Sequence, residues 1–170
     1  MKTMYGSFVR LTLLLAFLAS AVSFDAVEAC SSGQAPTDLP RNVELTKAAW
    51  DAYRANHFDA AITAADLCIR SFKDDAESEE AQLEKSHAPL PPKGKVTEKE
   101  KKAIFDLGVL NDVATCFWIK GSSALSLKKT GLGKDALKSA AKYTYARTWD
   151  EHGWFWSPAE DASHQLRDLP

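Results

Sequence analysis

From Leu45 to Phe72 the apolar residues fall at helical intervals with a single interruption, and that pattern restricts the architecture more than any other feature of the chain. Leu45, Ala48, Ala49, Ala52 and Tyr53 recur at i, i+3, i+4, i+7 and i+8, which is one stripe of an amphipathic helix, with Asn42 placed to cap its start. Asn56 suits the left-handed turn residue that ends such a helix. Beyond it Phe58, Ala61, Ile62, Ala65, Cys68, Ile69 and Phe72 resume the same spacing. Two amphipathic helices joined by so short a link must fold back on each other, with alanines where they touch.

The second half repeats the theme. Val113, Ala114, Phe117, Gly121 and Ala124 mark one helix, a turn is expected at Gly131, and Ala136, Leu137, Ala140 and Tyr143 mark the next. Between the halves, "DDAESEEAQLEK" predicts a short, largely solvated helix, and "SHAPLPPKGKVT" a Pro/Gly loop, an insertion at about 86–97. Thr97 with Glu100 forms a capping box, so a helix starts near Glu98; continued to Lys129 it would be ~48 Å long at ~1.5 Å per residue, so a break is expected around Gly108 to Asn111. Ser157, Pro158 and Glu160 begin a terminal helix. The expected fold is all-α, without sheet.

A chain of 170 residues, 45% hydrophobic and 26% charged, is one globular domain with appendages. Its formal net charge of −2 gives no basic field for a polyphosphate backbone, so nucleic acid is set aside as a partner. Residues 1–29 read as a signal peptide: Lys2 and Arg10 precede an apolar run from Leu11 to Phe24, too short to span a bilayer, and Val27 and Ala29 fit a cleavage site. Cys30 then lies in "VEACSSG", which resembles a bacterial lipobox and makes Cys30 a lipidation candidate, though Glu28 departs from that pattern. Residues 30–41 read as a flexible tether, and the domain as 42–170. The expectation is an exported protein, periplasmic, membrane-anchored through lipid on Cys30, or secreted.

Trp50, Tyr53, the Asn56 turn, Phe58, Ala61, Ala65 and Cys68 together resemble a tetratricopeptide repeat. "LNDVATCFWIKG" with "TWDEHGWFWSPAEDA" resembles, over roughly Leu45 to Leu166, exported bacterial tetratricopeptide-like proteins, some of which carry glucan-related names. The resemblance implies helical hairpins in an α-α superhelix with a C-terminal capping helix. It also implies a concave surface that binds a protein or peptide of the cell envelope without catalysis, and Arg54, Asn111 and Lys120 are its polar candidates. The alternative is a glucan-binding or glucan-processing protein that uses Trp154 and Trp156.

The segment "TWDEHGWFW" is expected to close the stack, with Trp149 and one of Trp154 and Trp156 packed on the helix of Ala136, Ala140 and Tyr143. Asp150, Glu151 and His152 have generic spacing, the four histidines share no ligand spacing, and no metal or other cofactor is expected. The carboxylates of "ESEEAQLEK" read as a wet helical face, and no nucleophile elbow occurs. Cys68 and Cys116, both on inward helix faces, are candidates for a disulfide.

Overall fold

The computed structural model describes residues 39–169, which are mostly helical. The signal, the lipidation candidate Cys30 and most of the tether lie outside the described residues. In order they form α1 (Arg41–Arg54), α2 (Phe58–Lys85), α3 (Glu98–Asp106), α4 (Gly108–Ser126), α5 (Thr130–Ala140), β1 (Thr148–Asp150), β2 (Trp154–Trp156) and α6 (Pro158–Arg167). Helices α1 and α2 make one antiparallel hairpin and α4 and α5 another; α4 packs on both α1 and α2, and α6 lies across α5 and α4. No helix among the described residues is long and apolar enough to cross a membrane.

The core is a layer of small and branched residues at the contacts of α1, α2, α4 and α5, including Ala49, Ala61, Ala65, Val113, Ala114 and Leu137, all inaccessible to water. Small residues at crossings let helices approach until the larger neighbours fill the remaining gaps. The α4–α5 crossing is tighter still. A Cβ on Gly121 would come within 2.7 Å of Leu137 and one on Gly133 within 2.6 Å of Leu125, so only glycine allows this spacing.

Three of the helix ends share one geometry. Asn56, His87 and Lys128 take positive φ (59°, 51° and 59°) directly after α1, α2 and α4. The next residue's N–H then bonds a carbonyl five back: His57 to Ala52, Ala88 to Leu83, Lys129 to Ala124. The second hairpin therefore turns at Lys128, not at Gly131, which sits in the first turn of α5. At the other end of α1 the expected cap is also corrected: Pro40 holds that position and Asn42 donates instead to Asp112, 2.6 Å away. The Thr97–Glu100 capping box is present, and α3 gives way to α4 at Leu107, one residue before the expected break.

Two further expectations fail. "DDAESEEAQLEK" is helical and largely solvated as expected, but it is not a separate helix: it continues α2, which runs 28 residues. It contains no breaker, and Ala76 and Glu80 extend the buried stripe of Cys68 and Ile69. Nor is the chain free of sheet. β1 and β2 form an antiparallel hairpin in the register Thr148↔Trp156, Trp149↔Phe155, Asp150↔Trp154, turned by Gly153 at φ 91°. The 86–97 loop joins it, because Gly94 exchanges both backbone hydrogen bonds with Phe155 at 2.7 and 2.9 Å. Three-residue strands leave too short an alternation to read as sheet, and a partner from a distant loop is invisible to local pattern.

Cys68 and Cys116 do lie together on neighbouring helices, but as free buried thiols. The Thr46 hydroxyl is 3.6 Å from one sulfur and 3.4 Å from the other, so the pair is held in a hydrogen-bonded cluster rather than a bridge.

Candidate functional site

Along α1, Val43, Lys47, Trp50, Asp51 and Arg54 share one stripe, and near the start of α4 so do Gly108, Asn111, Asp112 and Thr115. With Phe105 of α3 and Thr148 and Trp149 of β1 they enclose an open groove of about 510 Å³. The hairpin supplies the wall facing α1. Trp149 is 39% exposed, its ring 4.9 Å from Phe155 and 6.2 Å from Phe105, with the Lys101 ammonium 4.7 Å from its centre. On α1 the Arg54 guanidinium lies 5.4 Å from the centre of the Trp50 ring and bridges to Glu151 of the β-turn at 3.2 Å, tying the end of α1 to the hairpin. Lys47 is neutralised by Asp51 one turn along.

Asp112 lies at the base of the groove. It accepts from Asn42 and from Thr46, both uncharged, and among the described residues it has no cationic partner. Burial pushes its carboxyl up to about 6, and those two hydrogen bonds offset only part of the effect. Beside it Thr115 and Thr148 join hydroxyls at 2.6 Å, pinning β1 to α4.

The candidates named from sequence separate. Arg54 lines the groove. Asn111 borders it, but both ends of its amide are engaged: it donates to the Ile104 carbonyl at 2.6 Å and accepts from the Arg147 backbone N–H at 2.8 Å. That makes Asn111 a tie between the end of α3 and the approach to β1. Lys120 is on another face, paired with Asp66 of α2 at 2.6 Å. Trp154 and Trp156 line a shallower hollow with Lys93, Gly94 and His164. Trp154 is 43% exposed, while Trp156 meets Trp118 edge-on at 5.1 Å.

The closing segment packs differently from the expectation. Neither Trp149 nor Trp156 rests on α5; Trp149 covers α3 through Phe105, and Trp156 covers α4 through Trp118. The ring sealed without exposure is Phe155, between Trp149 and Phe105. Alternation along β2 decides this, since Phe155 points opposite to its two neighbours. Helix α6 packs on α5 and α4, with Asp161 accepting from the Trp118 indole at 2.6 Å.

Asp150 and His152 form a local turn, the imidazole 2.7 Å from the carboxylate. Hydrogen bonds from His152, first its backbone N–H, hold Asp150 below the usual carboxylate range. Among the described residues no three His, Cys, Asp or Glu side chains converge as a metal site would require.

Two residues gain roles that the sequence did not suggest. Asp112 is the lone carboxylate of α4, in a largely apolar stretch from Val109 to Ile119, a placement that signals a special environment. Arg147 is 3% exposed, and its guanidinium donates to the carbonyls of Pro91, Thr144 and Ala146 at 2.7–2.9 Å. It fastens the 86–97 loop to the segment before β1, and burial lowers its pKa. No family model, curated protein or solved structure matches the chain.

Proposed function

We propose that this chain is an exported tetratricopeptide-like protein of the cell envelope that binds an extended segment of a protein partner, without catalysis, in the groove between α1 and the β-hairpin. The observation that carries the proposal is the groove itself: an open channel with Trp50 and Arg54 on one wall, Phe105 and Trp149 on the other, and a polar base. Aromatic walls with few polar groups suit side chains of a peptide better than a small polar metabolite. Supporting the repeat assignment are two hairpins with small residues at their contacts and the packing of α4 against both helices of the first. Export through the signal, cleavage before Cys30 and lipidation there belong to the same proposal, and the mass of the mature N-terminus tests them.

Capture from envelope extract tests the binding claim. Immobilised protein is expected to retain a partner that a Trp149→Ala variant loses while its melting curve stays that of a folded protein, a check needed because the same ring covers Phe155. Equal retention by both would refute the groove. A second reading keeps one observation of its own: Trp154 is 43% exposed beside Trp156 in a separate hollow, an arrangement onto which a sugar ring can stack. Tryptophan fluorescence titrated with soluble glucan oligosaccharides separates the two, because only the glucan reading predicts a response that Trp154→Ala abolishes.

A further inference from the structure

Among the charged side chains that line the groove, Lys47 pairs with Asp51, Arg54 with Glu151, and the buried Arg147 is engaged with the backbone carbonyls of Pro91, Thr144 and Ala146. Asp112 is the carboxylate left over, held by the neutral donors Asn42 and Thr46. An ionised carboxylate removed from water without a counter-charge is costly, and the cost falls when a cation reaches it.

We infer that the groove selects a segment bearing a lysine or arginine, whose charged head meets Asp112 while its aliphatic stem lies against Trp50 and Trp149. The inference rests on the groove being the peptide site. A long cationic side chain fits the polarity gradient here, apolar along its length and charged at its end. The α1 stripe from Val43 to Arg54 extends roughly 16 Å at ~1.5 Å per residue. An extended peptide covers that in about five residues at ~3.3 Å each.

The experiment uses the full chain, immobilised, and degenerate pentapeptide pools, acetylated and amidated, with the central residue fixed as lysine, arginine, norleucine or glutamate. Retention of the lysine and arginine pools should exceed that of the norleucine pool by about tenfold, the scale of one charge-assisted hydrogen bond, and the glutamate pool should be weakest. Asp112→Asn, a neutral variant of the same shape, should erase the preference while its helical spectrum and melting curve stay those of a folded protein. Asp66→Asn, remote from the groove, should preserve it. Norleucine or glutamate pools retained as well as lysine pools would overturn the cation selectivity and leave the peptide groove standing. A lysine preference that survives Asp112→Asn would overturn the role given to Asp112. If no pool is retained above a blank surface, the peptide groove fails and the inference with it.

Discussion

Glu80, in the second half of α2, and Asp112, one turn into α4, are both carboxylates withdrawn from water, and burial raises the pKa of each. Their surroundings differ. Glu80 is saturated by the segment after α5: it accepts from the Thr144 N–H at 2.6 Å, the Thr144 hydroxyl at 2.8 Å and the Tyr145 N–H at 3.3 Å. Backbone donors cannot turn away, so this carboxylate fastens the α5–β1 connection to α2. Asp112 is met by two side chains and opens on a groove. A buried charge closed off by backbone serves the fold; one closed off by movable side chains beside open volume is available to a ligand.

The largest expected effect is on Glu80. Replacing it by alanine strands the N–H groups of Thr144 and Tyr145 and should cost about 3 kcal/mol, read as a lower urea midpoint. A loss under ~0.5 kcal/mol, the level of an ordinary surface site, would break the contrast.

Asp112 should behave in the opposite sense. Its folded pKa of about 6 stands above the ordinary 3.8, so the folded state keeps the proton longer than the unfolded one. Stability from this group is therefore full below about pH 4 and declines as pH rises toward 6, by on the order of 2–3 kcal/mol. Asp112→Asn should remove that decline and leave the protein at pH 7.5 as stable as the parent or more so, measured by melts across the range. A variant much less stable than the parent at pH 7.5 would make Asp112 a structural carboxylate like Glu80.

Asn42→Ala sharpens the point. Loss of its hydrogen bond to Asp112 should cost about 1 kcal/mol at pH 7.5 and less at pH 4, where the carboxyl is protonated and the bond is no longer charge-assisted. The smallest perturbation is chemical probing beneath the groove. In protein folded under reducing conditions, Cys68 and Cys116 are fully buried, and burial pushes the Cys116 thiol up. Both should react with a maleimide only after denaturant is added, and rapid labelling of the folded chain would show that the layer under Asp112 is open.

The helical hairpins were legible in the sequence because spacing reports burial: Ala49, Ala61, Ala65, Val113 and Leu137 lie inside as their periodicity requires. The start of α6 was equally clear, since Ser157 and Pro158 act over a single turn. The groove was only half legible. Arg54 belongs to it, but Asn111 is consumed by Ile104 and Arg147, Lys120 faces Asp66, and Trp149, expected inside, is one of its walls. Each of those outcomes turns on a partner between 7 and 54 positions away.

What the amino-acid order determined by itself is therefore what acts within a few residues: periodicity, the Thr97–Glu100 capping box, the left-handed Asn56, the serine cap and proline that open α6. Tertiary structure alone decided which polar groups would be buried together. Glu80 looks like a solvated residue until Thr144 and Tyr145 arrive 64 and 65 positions later, and Asp112 gains its site only when Asn42 reaches it across 70. The physical reason is that a charge's environment is set by desolvation and by the donors that packing delivers, and neither is a property of neighbours in the chain.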